Sequence, residues 1–298
     1  MASWTRGRQA HQHQAALFRG DLRIASVPDV ASRLYTGADG NTAVCETWPP
    51  AILKKLVNSI SIREAASMSP LNLKILAYED TPLGPLCLRR RELLSEPGTI
   101  VTEVTLDHEF LMSSFNTDSE RAISNRSVDI HKGNQLRALV GGLGLGYTAR
   151  ELLNRTEVET VTVIEYLPQV VDWLRAGLVP LSDELNAAQR LSICEGDVYA
   201  RLMADRAELF DLIVIDVDHS PSDQLGDEEH PFYTQTGLQK AKQHLASAGV
   251  LAVWSYAESS SFVDALREVF KEVLVEPVTT YNSLVDHEQT DWLFFGRD

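Results

Sequence analysis

Leu136-Arg137-Ala138-Leu139-Val140-Gly141-Gly142-Leu143-Gly144-Leu145-Gly146-Tyr147-Thr148 decides the fold. An apolar run of strand length enters a glycine cluster, and a helical pattern leaves it through Thr148–Asn154. Strand, tight turn and helix in that order open a βαβ unit. Glycine permits backbone angles that other residues avoid and lets a ligand approach the main chain. The helix start behind it offers free N–H groups to electronegative atoms. Gly142, Gly144 and Gly146 are spaced Gly-x-Gly-x-Gly, whereas the dinucleotide fingerprint needs a glycine where Tyr147 stands. The turn therefore points to a nucleoside without a diphosphate, with Gly141, Gly142, Gly144 and Gly146 as its cradle.

Downstream, the alternation continues. Strands are expected at Val158–Ile164, Arg190–Cys194, Leu212–Val217, Gly249–Trp254, Val273–Glu276 and Trp292–Phe295. Helices are expected at Pro168–Ala176, Val198–Ala204, Tyr233–Leu245 and Ser261–Phe270. Strands alternating with helices make a mostly parallel sheet, and its ligands sit at the carboxyl ends of the strands. Upstream, Leu73–Tyr78, Pro85–Arg89 and Ile100–Leu106 are β-prone runs parted by Thr81-Pro82-Leu83-Gly84 and Glu96-Pro97-Gly98. The chain thus divides into an N-terminal extension, partly flexible, over 1–70, a small β-hairpin domain over 71–115, and a Rossmann-like nucleoside-binding domain over 116–298. Within the extension, Ala51–Ile60 has helical spacing after Trp48-Pro49-Pro50. Met1–Gly20 carries Arg6, Arg8 and Arg19, no acid and no apolar segment, and reads as a frayed terminus, with a transit peptide as the competing reading.

Composition bounds the partners. The 298 residues are 44% hydrophobic and 23% charged, enough to bury a core. No run approaches membrane-spanning length. Cys45, Cys87 and Cys194 are too few and too scattered for a disulfide framework, which suits a reduced, cytoplasmic protein. Residues 1–70 hold 8 basic and 5 acidic side chains, the rest 19 and 37, for a net charge of −15. So acidic a body repels phosphate backbones, which argues against nucleic acid, and favours small cations.

Three acidic positions fall at predicted strand ends. Glu165 closes the second strand 19 residues after Gly146, where a carboxylate can accept from both ribose hydroxyls. Glu195-Gly196-Asp197-Val198 follows the third. There Asp197 can accept from an exocyclic adenine amine and the Val198 N–H can donate to a ring nitrogen, while Asp197 also suits a helix N-cap. The fourth strand runs through Phe210-Asp211-Leu212-Ile213-Val214-Ile215 into Asp216-Val217-Asp218-His219. Charges at the end of a buried strand are costly unless used. In extended backbone Asp216 and Asp218 point the same way. They are read as a pair that binds and deprotonates an amine, with His219 assisting. A divalent metal on Asp218, His219 and His230 is a competing reading that matches no metal motif, and a solvated acidic loop is the bland one. The loop through Asp223, Asp227, Glu228, Glu229 and His230 has the length of a lid.

These stretches together resemble the spermidine synthase-like branch of the class I S-adenosylmethionine-dependent methyltransferase superfamily. The likeness is carried by VGGLGLG at 140–146, VTVIEYLPQVV at 161–171, EGDV at 195–198, FDLIVIDVDHSP at 210–221 and FYTQTGLQKAKQHLASAGVLAVW at 232–254, and covers residues 71–298. It implies an α/β, Rossmann-like fold with a seven-stranded, mostly parallel sheet preceded by a small antiparallel β unit. It further implies S-adenosylmethionine or its decarboxylated form as cofactor, Asp216 as catalytic carboxylate, and Asp118, Glu120 and Tyr233 at the acceptor. Exposed hairpin edges at 71–106 invite pairing into a homodimer. The chain departs from the family's pattern. Gly144 replaces the acid that holds the amino end of the decarboxylated cofactor, Asp-Ser-Ser-Asp-Pro becomes Asp216-Val217-Asp218-His219-Ser220, and the Tyr-Gln-Glu motif is reduced to Asp118-Ser119-Glu120. On Gly144, methyl transfer to a small amine is placed ahead of aminopropyl transfer to a polyamine, with a non-catalytic nucleoside binder as the third reading.

Overall fold

The computed structural model describes residues 73–298, apart from 207, 219, 222–223, 226–227, 230 and 283–286, together with the backbone of two short paired strands, Leu34–Thr36 and Thr42–Val44. The expected helix at 51–60, the lid residues Asp223, Asp227 and His230, and the candidate His219 lie outside the described residues.

Two sheets make the body. The first is antiparallel, in the order β1 (Lys74–Thr81), β2 (Gly84–Glu92), β3 (Ile100–Leu106) and β4 (Glu109–Ser113). The second follows helix α1 (Asp118–His131) and is built from β5 (Leu136–Gly141), α2 (Tyr147–Asn154), β6 (Val158–Glu165), α3 (Pro168–Arg175), α4 (Ser182–Ala187), β7 (Leu191–Glu195), α5 (Val198–Met203), β8 (Phe210–Ile215), α6 (Gln235–Lys242), β9 (Leu245–Ser255), α7 (Ser260–Val269), β10 (Glu272–Asn282) and β11 (His287–Arg297). Its order is β10-β11-β9-β8-β5-β6-β7, with β11 antiparallel to both neighbours and the remaining pairs parallel.

Local chemistry places the helix starts. Asp197 caps α5, accepting from the N–H groups of Tyr199 and Ala200, and Thr234 and Ser259 cap α6 and α7. Pro168 opens α3, where its missing N–H costs nothing. The expected helix over Tyr233–Leu245 is shorter in the structure. A 3-10 turn takes Pro231–Tyr233, α6 follows from Gln235, and Leu245 already belongs to β9.

The sheet centre is apolar on both faces. Leu212 and Val214 face one core cluster, and Ile213 and Ile215 face the other. Each fully buried side chain of this kind contributes about 1.5–3 kcal/mol relative to exposure. The first cluster also contains Leu86, Leu88, Val104 and Leu106, so the small sheet shares a core with the large one. Trp173 Nε1 donates to Glu79 Oε1 at 2.8 Å and ties α3 to β1.

Chain order reverses between β5 and β8. There Gly141 lies in register with Ile215, and Ile215 with Val253. Strands β5 and β8 therefore end level with one another at the switch point, where ligands of such sheets bind, and β9 runs two residues further.

Candidate active site

The glycine turn and the end of β8 are packed together. Gly142, Gly144 and Gly146 have φ of 97°, 52° and 93°. A Cβ at Gly142 would lie 2.2 Å from the Asp216 carbonyl oxygen. The Asp216 N–H donates to the Gly141 carbonyl at 2.9 Å. Strand β8 stops at Ile215, so Asp216 leaves the ladder and turns into a cleft.

That cleft has a volume of about 1090 Å³, its open mouth included. The small sheet supplies one wall, with Phe110, Met112 and Glu103. The glycine turn from Leu143 to Thr148 supplies another, and Trp254, Gln289 and Asp291 come from β9 and β11. Five carboxyl groups line it: Glu103, Glu120, Asp216, Asp218 and Asp291. Among the described residues no lysine, arginine or histidine does.

The five are not alike. Glu103 is 1% exposed and bonds Arg89 at 2.9 Å and Arg91 at 2.8 Å, so its charge is consumed behind the wall. Asp216 accepts from the Thr148 hydroxyl. Burial, with Asp291 and Asp218 adding repulsion, pushes its carboxyl up to about 6 against the pull of Thr148. Glu120 is pushed up to about 8, first by burial and then by Asp216, with a smaller contribution from Asp291. Asp218 is exposed at the mouth. Asp291 is 9% exposed and accepts from Ser119 Oγ at 2.8 Å.

Glu165 differs from all of these. It is 7% exposed and does not line the cleft. Its Oε2 accepts from Leu143 N at 2.7 Å and its Oε1 from Leu167 N at 2.8 Å. The N–H groups of Gly144 and Tyr166 lie near enough to favour its charge as well. A carboxylate has about four acceptor positions, and each oxygen of this one is already engaged by a backbone donor. Burial raises the Glu165 carboxyl and these donors draw it back. The expected ribose acceptor is, in this conformation, the clasp of the glycine turn.

The expected site residues fall into three groups. Gly144, Gly146, Glu120, Asp216 and Asp218 meet in the cleft. Gly141, Gly142, Glu165, Asp197 and Val198 lie along the adjacent ends of β5, β6 and β7. There Val198 is buried beneath Gly141, and a Cβ on that glycine would lie 2.7 Å from its methyl groups. Asp118 and Tyr233 lie elsewhere. Asp118 is exposed in the first turn of α1, and only the next two residues of that turn face the cleft. Tyr233 is buried on the opposite face of the sheet, its hydroxyl 2.6 Å from that of Tyr199. Its ring packs edge-on against Phe232 and Phe262. The apolar body of Tyr233 outweighs its polar tip, and a hydrophobic face claims it. Thr148, Ser119, Trp254 and Asp291 line the cleft without having been expected there. Among the described residues no three His, Cys, Asp or Glu side chains converge as a metal site, and no helix is long and apolar enough to cross a membrane.

No family model matches this chain, and no curated protein sequence matches it. Solved structures do. A spermidine synthase in complex with the transition-state analogue AdoDATO aligns at 18% identity and TM-score 0.58, over 75% of this chain and 73% of that one. The spermidine synthase from Thermotoga maritima aligns at 18% identity and TM-score 0.56, over 75% and 72%. A probable spermidine synthase from Corynebacterium glutamicum aligns at 17% identity and TM-score 0.54, over 77% and 81%. At this identity the likeness is one of fold. The chain has the spermidine synthase-like form of the class I methyltransferase fold, an α/β body with a four-stranded antiparallel sheet ahead of a seven-stranded one.

Proposed function

We propose that this chain is an enzyme that transfers an aminopropyl group from decarboxylated S-adenosylmethionine to a small cationic amine. One observation carries the reading. At the switch point of a spermidine synthase-like fold stands a cleft walled by carboxyl groups and aromatic rings, with no cationic side chain among its described residues.

Two considerations move aminopropyl transfer ahead of methyl transfer. The structural neighbours are spermidine synthases, one of them holding AdoDATO. Gly144 also has a reason within the fold. Its φ is 52°, and a Cβ there would lie 3.2 Å from Met112 Sδ. The left-handed backbone together with the Met112 side chain favours glycine at this position, so the glycine alone does not mark the cofactor.

The residues fit the reacting end of such a donor. Phe110, Phe115 and Trp254 line the cleft with aromatic rings, which attract cations, and Asp216 and Asp218 line it with carboxyl groups. At the ribose end, Glu165 is available only if the sugar hydroxyls replace the Leu143 N–H group. The glycine turn and the Asp197–Val198 step would hold the nucleoside.

When bound, the sulfonium supplies a carbon already activated for displacement, its C–S bond breaking as the acceptor's N–C bond forms. The protein's part is alignment and proton removal. An ammonium with a pKa near ~10 must lose a proton before its lone pair can attack. Asp216 binds that ammonium and takes the proton, and its raised affinity makes it a better base than an ordinary carboxylate. Thr148 fixes which oxygen of Asp216 faces the cleft. Asp218 adds a second negative charge at the mouth, where the acceptor enters.

The engaged oxygens of Glu165 favour one competing reading, a fold relative that binds no nucleoside there and turns nothing over. Titration calorimetry against S-adenosylmethionine, its decarboxylated form and methylthioadenosine, followed by mass analysis of products over a panel of amines, separates these readings. Tighter binding of the decarboxylated form with a mass gain of one aminopropyl unit is expected. A methylated product would restore methyl transfer, and no product from any donor would sink the enzyme reading.

A further inference from the structure

The first turn of α1 meets β11 inside the cleft, and the meeting holds a proton-counting problem. Ser119 Oγ lies 2.8 Å from Asp291 Oδ2 and 3.1 Å from Glu120 Oε2. A serine hydroxyl has one proton to donate. If it goes to Asp291, the shorter contact, Glu120 meets the hydroxyl oxygen favourably only by donating a proton of its own. Two ionised carboxylates on one hydroxyl would leave an acceptor facing an acceptor in a buried site, which is costly. Ser119 is 5% exposed and Asp291 9%, and Glu120 is half-buried, so little solvent reaches the contact to relieve the conflict. The group therefore holds one proton and one negative charge when empty. The direction of the Glu120 shift agrees. Among the described residues the charged groups that act on Glu120 are Asp216 from the end of β8 and Asp291 from β11, both acidic, with Tyr147 of α2 beside it and Arg121 and Arg150 acting on that tyrosine.

Resting on the aminopropyl-transfer reading, we infer that Asp291, held by Ser119 and sharing a proton with Glu120, is a specificity-determining residue that anchors a second cationic nitrogen of the acceptor while Asp216 handles the first, and that seating this nitrogen expels the shared proton. Asp291 projects from a strand that also supplies Gln289, whose Nε2 donates to Asp291 Oδ1 at 3.3 Å. One oxygen is thus turned to Gln289 and the other to Ser119, so the carboxylate is aimed by these neighbours. An incoming ammonium brings its own positive charge and donors. The Glu120 proton then becomes redundant and leaves to solvent, and two carboxylates face one cation.

The experiment is calorimetry on the full chain at pH 7.0–7.5 in buffers of different ionisation enthalpy, with butylamine as a one-charge probe and 1,4-diaminobutane as a two-charge probe. The diamine is expected to bind more tightly and to release a measurable fraction of a proton that butylamine does not. Asp291→Asn should remove that release and raise the diamine KM by about 10- to 100-fold, leaving the butylamine affinity and the affinity for decarboxylated S-adenosylmethionine unchanged. Ser119→Ala, which deletes only the hydroxyl, should weaken the same two readouts, and it serves as the test if Asp291→Asn does not fold. An unchanged diamine KM and an unchanged proton release in the folded variants would overturn the inference. Asp291-dependent proton release without transfer to any amine would sink the aminopropyl reading and spare the anchor, whereas transfer indifferent to Asp291 would do the reverse.

Discussion

Replacing Glu165 by glutamine tests whether this residue is the clasp of the glycine turn. The change keeps shape and removes one acceptor oxygen. The Leu143 and Leu167 N–H groups, which bond one oxygen each, then face one carbonyl oxygen and one amide nitrogen. Whichever way the amide turns, either the Leu143 or the Leu167 N–H loses its acceptor, and both residues are more than nine-tenths buried. Leaving one buried donor unsatisfied costs about 1–3 kcal/mol, and losing the charge assistance of the remaining bond adds about 1 kcal/mol. The expected loss is about 2–4 kcal/mol, a large share of the roughly 5–15 kcal/mol that holds such a domain together. Urea unfolding followed by far-UV circular dichroism reads it as a lowered midpoint at constant slope. Glu195→Gln, at an exposed carboxylate at the end of β7, is the control and should leave the midpoint in place. If Glu165→Gln unfolds at the wild-type midpoint, the backbone clasp is not a stabilising element and the reasoning fails.

Asp216→Asn should leave nucleoside binding intact and lower turnover by about 10²- to 10⁴-fold, the usual contribution of a positioned base; initial rates beside calorimetry check it. A carboxyl raised to about 6 is protonated below that pH, so the wild-type rate should fall tenfold per unit of acidification below about 6 and level off above it. A flat profile between pH 5 and 7 would remove Asp216 from the role. Gly142→Ala places a methyl group 2.2 Å from the Asp216 carbonyl at a φ of 97° and should cost about 2–5 kcal/mol by thermal or urea unfolding.

Much of the large sheet is legible in the sequence because its strands are buried on both faces and read as apolar runs. Leu136–Val140 extends by one residue to Gly141, and the last two strands are far longer than their apolar cores, Glu272–Asn282 and His287–Arg297. The excess in β10 and β11 is half-exposed and polar, so no apolar run betrays it. Helix α1 leaves almost no periodic trace. Its buried face includes Ser119, Ser124 and Ser127, whose hydroxyls are satisfied within the fold. Ser124 donates to the Thr148 carbonyl and Ser127 to that of Ile123. A helix packed through hydroxyls looks polar all round to any hydrophobic count. Strand β4 hides for another reason, since the turn before it uses Asp107 and His108 at φ of 51° and 65° rather than the usual Asn-Gly.

The site divides the same way. Asp216 and Asp218 stand out because charge at the end of an apolar strand is conspicuous. Glu165 stands out too, but its position in the sequence says nothing about the backbone donors that engage both its oxygens. Asp291 carries no local mark, because its importance comes from β11 running antiparallel beside β9 and bringing it to Ser119, 172 residues away.

The cleft is walled by two sheets with one interior between them. In the proposed reaction the nucleoside falls on the turns after β5, β6 and β7, while Phe110 and Met112 on β4 line the opposite wall. Because Leu88 and Val104 root that wall in the common interior, it cannot swing away as a door. Variation along β4 would then reshape the chamber for longer or bulkier amines while the donor's berth stays as it is, so the two halves of the chemistry can evolve on separate schedules.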